Sequence, residues 1–370
     1  DLWLSAAWGK MITSGVNPYY IPLMQNAAAG LPLDHFSMVM SYGPLWAIIS
    51  AAVMALAGAS VLTAGLAFKL VLAAAWVGTL FVIRQMARRR QAYDASLAML
   101  MMGWTPLSVT QSLFEGHNDI AMMWLAMIWV WLLINRQGKE QLALVASIAV
   151  KYVTAPLFLI DFIHKVCVRQ QTLAQYASSL IVPAVAGLLI FGLFFRSPAF
   201  FDGLFQISEW HFLQPDDAVK GLAEFAGLNL SYIALLARGV LPAYATYCVV
   251  RSIREPGNEQ TLRACLAVQA ATAFGLINHL WPWYLVWVLA FAAIVPGWWL
   301  SRFVWGLALL APFTLAFWWI EVLEAHKNTA ALALYAGAVM WTIATRKVWC
   351  TDEDARMPDA RVDVTTEDTG

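Results

Sequence analysis

Apolar runs recur along the chain, separated by short polar connections. The runs are Val61–Ile83, Ala95–Leu113, Ile120–Ile134, Leu142–Val150, Val153–Ile163, Ala174–Phe195, Leu230–Val250, Leu262–Asn278, Trp283–Leu300, Phe303–Ile320 and Ala330–Thr345. Backbone polar groups cannot stay unpaired in hydrocarbon, so runs of this kind predict helices rather than strands. A single crossing takes roughly 20 apolar residues. The expected fold is therefore an all-α polytopic membrane bundle with about 10–11 membrane helices, accompanied by external interfacial helices.

Basic residues set the orientation, because Lys and Arg stay on the cytoplasmic side. They cluster at Arg84, Arg88, Arg89 and Arg90, at Arg136 and Lys139, at Lys165 and Arg169, at Arg251 and Arg254, at Arg302, and at Arg346 and Lys347. The alternate connections Phe114–Asp119, Asn278–Trp283 and Arg196–Asn229 are poor in them.

The stretch Leu142–Ile163 decides the parity. As one span it would put Lys151 at the bilayer centre, at a cost of roughly 2.5–3.5 kcal/mol. It would also invert every later basic loop. Two short helices meeting near Lys151-Tyr152 remove both problems, and Pro156 disfavours a continuous helix. Lys151 is then expected at the outer surface beside a break.

Residues 1–60 are expected to form an external segment. Gly15, Pro18, Pro22, Pro32 and Pro44 punctuate it, and the short apolar stretch Pro44–Leu56 suits a helix lying in the interface. This parity asks for a span ahead of Asp1, so the first span of the bundle is expected to be missing from the sequence. Residues 61–346 form the bundle, with 196–229 as a long external loop. The acidic tail 347–370 reads as disordered and cytoplasmic. Cys167, Cys248, Cys265 and Cys350 all fall at or near the cytoplasmic side, so no disulfide is implied.

Composition narrows the class further. Of 370 residues, 61% are hydrophobic and 12% charged, against about 45–50% and 25% for soluble domains. A soluble globule is excluded. Aromatic content of 13%, with 19 Trp, suits two membrane–water interfaces. The formal net charge of +0 gives no nucleic-acid-binding surface.

Ionisable groups near a membrane core are functional candidates, and here they gather on the outer side. They are Asp1, Lys10, Asp34, His35, Glu115, His117, Asp119, Lys151, Glu209, His211 and His279. Lys69 is offset toward the outer half and Arg238 lies about mid-span. The pattern predicts a polar cleft at the outer surface. Each group also has a plainer reading. Asn118 or Asp119 can cap the next helix, Lys151 can snorkel, and Asn278–Tyr284 can be an aromatic belt. Glu321, Glu324 and His326 read as a solvated loop.

At these positions the sequence resembles the GT-C superfamily of integral-membrane glycosyltransferases, and most of all the bacterial polyprenyl-phosphate-mannose-dependent α-mannosyltransferases. The likeness rests on Asp1 followed by Gly15-Val16-Asn17-Pro18-Tyr19, then Tyr42-Gly43-Pro44-Leu45, Gly116-His117-Asn118-Asp119, Val150-Lys151-Tyr152 and Pro282-Trp283-Tyr284-Leu285. It covers most of residues 1–300. The family's break usually carries Lys-Gly or Lys-Pro, whereas here Tyr152 follows Lys151 and proline comes at Pro156.

The resemblance implies an inverting transfer of a sugar, mannose in particular, from a polyprenyl-phosphate donor to a glycan, lipid or protein acceptor. The reaction would take place at the periplasmic or exterior face of the cell membrane. It implies Asp1 as catalytic base, and Lys151, His279 and His117 as donor-phosphate-binding cations. Asp119, Glu115, Asn118, Tyr42, Trp281 and Trp283 would orient those cations or bind sugar. No cofactor is required for such a transfer, because the lipid phosphate is already a leaving group; dependence on a divalent metal is left open, and no metal ligands are assigned. A transporter or flippase is the alternative, suggested by the two short helices meeting at Lys151.

Overall fold

The computed structural model describes residues 2–23, 38–58, 60–90, 95–136, 138–208, 212–314 and 326–346. The expected disordered tail lies outside them. Among the described residues the regular structure is helical, with a bridge between Phe212 and His279 as the extended pairing. The helices are α1 (Leu2–Thr13), α2 (Pro44–Ala57), α3 (Val61–Arg90), α4 (Ala95–Gly103), α5 (Asp119–Ile134), α6 (Glu140–Val150) and α7 (Leu157–Ile163). They continue with α8 (Leu173–Gly192), α9 (Pro215–Ala226), α10 (Ser231–Arg254), α11 (Asn258–Ala271), α12 (Leu285–Ile294), α13 (Trp299–Thr314) and α14 (Lys327–Ala344). The all-α bundle read from the apolar runs is the fold observed.

Three described helices, α3, α8 and α10, are long and apolar enough to cross a bilayer individually. Their outward faces are apolar, with Leu62, Leu66 and Leu70, Leu188 and Leu189, and Leu235 and Leu236 exposed. In water this would be a liability; against lipid it is the expected surface. The shorter helices pack inside them. Every residue of α12 is buried, as a helix apolar on all sides requires.

Two boundaries differ from the apolar runs. Ala95–Leu113 is not one helix. Thr105 is extended (φ −65°, ψ 124°) ahead of Pro106, as the residue before a proline prefers. The chain resumes as the turn Pro106–Val109 and a wide π-helical turn, Thr110–Phe114. The last spans break between Ile294 and Trp299, around Pro296-Gly297, rather than at residues 300–303. Arg302 thus lies inside α13, where it is buried and donates from Nη1 to the Gly297 carbonyl at 3.1 Å.

The break at Lys151 is present. Helix α6 ends at Val150, Lys151 is extended (φ −156°, ψ 129°), and a 3₁₀ turn covers Tyr152–Thr154. The chain then doubles back. Gln141 Nε2 donates to Asp161 Oδ2 at 3.1 Å, and Lys165 Nζ lies 3.1 Å from Glu140 Oε1. With 11 residues in α6, this hairpin reaches about 17 Å, short of the about 30 Å of a hydrocarbon core.

Helix α5 backs the hairpin and is tied to it at four heights. Asp119 meets Lys151, the Met122 carbonyl accepts from Ser147 Oγ, Trp129 Nε1 donates to Asp161, and the Leu133 carbonyl accepts from Arg169. The hairpin apex and the start of α5 therefore lie together at one end. At the other end the basic groups converge: Arg89 Nη1 donates to Asn135 Oδ1, while Lys165 and Arg169 meet Glu140.

Helices α1 and α2 pack through small residues, the usual device for close approach in a membrane bundle. A Cβ on Gly9 would come within 2.5 Å of the Ser50 carbonyl oxygen, and Trp46 Nε1 donates to Ser5 Oγ at 2.9 Å. The expected external loop 196–229 is itself folded. It contains Asp202–Ser208 and α9, and α9 packs on α10 and α14. Arg238 is matched there, 3.9 Å from Asp216 and donating to Asn278 Oδ1 at 2.8 Å. Lys69 is exposed on α3. Cys167, Cys248 and Cys265 are free thiols.

Candidate active site

Lys151 and Asp119 form the centre. Both stand where helix dipoles favour them, a cation at the end of α6 and a carboxylate in the first turn of α5. Lys151 Nζ lies 2.7 Å from Asp119 Oδ1, and both residues are buried, at 9% and 1% exposure. Trp287 Nε1 donates to the same oxygen. The ammonium also sits 5.4 Å from the ring of Tyr42, 4.9 Å from Tyr284 and 5.3 Å from Trp287, within cation–π range. Snorkelling does not describe this lysine; it is held inward by a carboxylate and three rings.

Tyr42 reaches the pair because its own backbone is anchored. Its carbonyl accepts from Tyr19 Oη at 2.8 Å, and the next residue, Gly43, donates its N–H to the Val150 carbonyl at 2.9 Å. Trp8 of α1 meets the Tyr42 ring edge-on at 5.6 Å.

The Glu115–Asp119 turn lies alongside. Gly116 takes φ +76°, and a Cβ there would fall 2.8 Å from Leu2 Cδ1; glycine answers both demands. His117 is buried, with Nε2 3.4 Å from Glu115 Oε2, and Gln111 Nε2 donates to Glu115 Oε1 at 3.3 Å. Burial pushes the His117 imidazole below its ordinary value, against the pull of Glu115. In turn, the hydrogen bond from His117 holds Glu115 below the usual carboxylate range. His117 is thus a neutral hydrogen-bonding group near pH 7.

Asn118 contradicts the capping reading. It precedes α5, yet its side chain makes no cap hydrogen bond. Its Oδ1 and Nδ2 are buried without a hydrogen-bond partner among the described residues, and so is Asp119 Oδ2. Buried polar atoms are nearly always paired. Three orphans at adjoining residues mark a place where polar ligand atoms fit.

Aromatic rings complete the site. Trp281 and Trp283 stack at 4.8 Å with an interplanar angle of 6°, and Trp283 stacks on His117 at 4.1 Å. Tyr284 stacks on Trp287 at 4.0 Å. His279 Nε2 lies 3.0 Å from Tyr284 Oη, so Tyr284 connects His279 to the Lys151 ammonium.

The structure thus brings Tyr42, Glu115, His117, Asn118, Asp119, Lys151, His279, Trp281 and Trp283 to one end of the bundle. Asp1, Asp34, His35, Glu209, His211, Glu321 and Glu324 lie outside the described residues. Lys10 stays on α1, half-buried, and His326 is exposed before α14. Tyr284 and Trp287 were missed. Their three-residue spacing puts both on one helix face, a signal masked by the belt-like Trp content of the segment.

Residues 1–169 match the MptA_B family, described as alpha-(1->6)-mannopyranosyltransferase, N-terminal domain. No curated protein matches the chain. The matched stretch holds Tyr42, the Glu115–Asp119 turn and Lys151, and it ends before His279 and the Trp281–Trp287 rings. Between the two classes left open by the sequence, the match supports a transferase over a transporter.

Proposed function

We propose that this protein is a GT-C-type mannosyltransferase that takes mannose from a polyprenyl-phosphate donor and inverts the anomeric configuration. The acceptor is a glycan, lipid or protein at the outer face of the cell membrane. The anomeric carbon–oxygen bond to the lipid phosphate breaks as the acceptor hydroxyl oxygen bonds to that carbon. Asp1 takes the hydroxyl proton on the opposite face, and polyprenyl phosphate leaves with the electron pair.

Lys151 stabilises the charge that grows on the phosphate, with Asp119 and the three rings fixing its position. His279 and His117 add hydrogen bonds to the phosphate oxygens. Asn118, Asp119 Oδ2 and Glu115 take sugar hydroxyls or orient the cations, and Tyr42, Trp281 and Trp283 offer ring faces to the sugar or prenyl chain. No cofactor enters this scheme.

The observation that carries the reading is the buried Lys151–Asp119 pair with orphaned Asn118 and Asp119 atoms beside it, inside the family-matched stretch. The test is incubation of membranes containing the full-length protein with labelled polyprenyl-phosphate mannose. Wild type is expected to label an acceptor, and Asp1→Asn to bind donor without turnover. Near-normal turnover in Asp1→Asn removes Asp1 from the mechanism. Movement of label across the bilayer without transfer replaces the whole reading by transport.

A further inference from the structure

We propose that a cavity at the far end of the α6–α7 hairpin, away from Lys151, binds the phosphate of an anionic phospholipid headgroup. The cavity measures about 570 Å³, within the range of small-ligand sites. It is separated from Asp119 by the length of α5, 16 residues or about 24 Å. Four cations line it, Arg136, Lys139, Lys165 and Arg169, against one lining carboxylate, Glu140. Counting Asp161 as well, which lies 3.9 Å from Lys165, leaves two positive charges in excess.

The internal pairs do not use up the donors. Arg169 Nη1 donates to Glu140 at 2.9 Å and its side chain is only 9% exposed, yet Nε has no partner among the described residues. Gln171 Oε1 is an acceptor left in the same condition. An orphan donor and an orphan acceptor on residues lining one cavity suit a phosphate carrying a hydroxyl-bearing headgroup, such as phosphoglycerol.

Two further observations favour a lipid source. Arg136 and Lys139 both take left-handed backbone, φ 55° and 60°, a conformation that residues with a Cβ adopt mainly where surroundings enforce it. One wall is Val182 and Pro183 of α8, and Val182 belongs to the exposed apolar face of that membrane-length helix. A headgroup in the cavity would therefore keep its acyl chains along α8. Basic pockets between membrane helices are a recurrent form of headgroup site.

The test is thermal unfolding of the full chain in micelles containing phosphatidylglycerol or, at equal mole fraction, phosphatidylcholine. Phosphatidylglycerol is expected to raise the midpoint by several degrees over phosphatidylcholine. Arg136→Gln/Lys139→Gln, altering two exposed side chains, is expected to lose that difference. Arg84→Gln/Arg88→Gln, exposed at the end of α3, is expected to keep it. Loss in both variants, or in neither, overturns the site. Equal stabilisation by inorganic phosphate overturns the lipid source and assigns the cavity to free phosphate.

Discussion

Lys151 and Asp119 are 32 residues apart in sequence and 2.7 Å apart in space, and neither has appreciable access to solvent. A buried pair gains little over a well-packed apolar pair, but removing one partner strands the other charge. Lys151→Met should therefore destabilise the protein by roughly 3–5 kcal/mol. The double variant Lys151→Met/Asp119→Leu should recover much of that loss. Unfolding in detergent checks both, and transfer should be absent in both. Equal destabilisation of the single and double variants would contradict the role given to the stranded charge.

Asn118 separates a structural from a ligand-binding role. Among the described residues its side chain has no hydrogen bond to lose, so Asn118→Ala should change stability by under about 1 kcal/mol. If its amide bonds substrate, the same change should slow transfer by about 10–100-fold, the equivalent of one strong hydrogen bond. Stability and kcat/KM measured on the same preparation decide it. Unchanged kcat/KM would leave the orphaned amide with no role in transfer.

His117 contributes to the pH dependence of stability. Burial holds its folded-state pKa below the ordinary 6.5, so the unfolded chain takes up a proton that the folded protein refuses. That contribution is full above pH 6.5 and is lost as pH falls below it. Glu115, lowered by its hydrogen bond from His117, adds a loss of the same sign below its ordinary 4.5. Midpoints recorded from pH 8 to 5 should fall for wild type, and the slope should flatten in His117→Gln.

Much of this arrangement is legible in the sequence, for identifiable reasons. Helix α5 follows from the length of its apolar run. The hairpin follows from Lys151, because an ammonium at the middle of a 22-residue apolar stretch leaves a break as the cheaper solution. The order of the basic loops locates the two ends of the bundle, and the resemblance to the mannosyltransferases agrees with the family match over residues 1–169.

What escaped depends on tertiary contact. Arg302 looks like a loop residue, yet it answers a carbonyl released at Pro296-Gly297 and so sits within α13. Arg238 looks stranded at mid-span until α9 folds back with Asp216. Tyr284 and Trp287 are indistinguishable from interfacial aromatics until Lys151 is placed against them.

The rungs joining α5 to the short hairpin have a mechanical corollary. A slide of one helical turn, about 5.4 Å, would sever all four at once, so the hairpin cannot work as a piston and must serve as a fixed anvil. Whatever clearance the proposed lipid-borne sugar needs has to come from a part that merely leans on it, the tryptophan corner at Trp281–Tyr284.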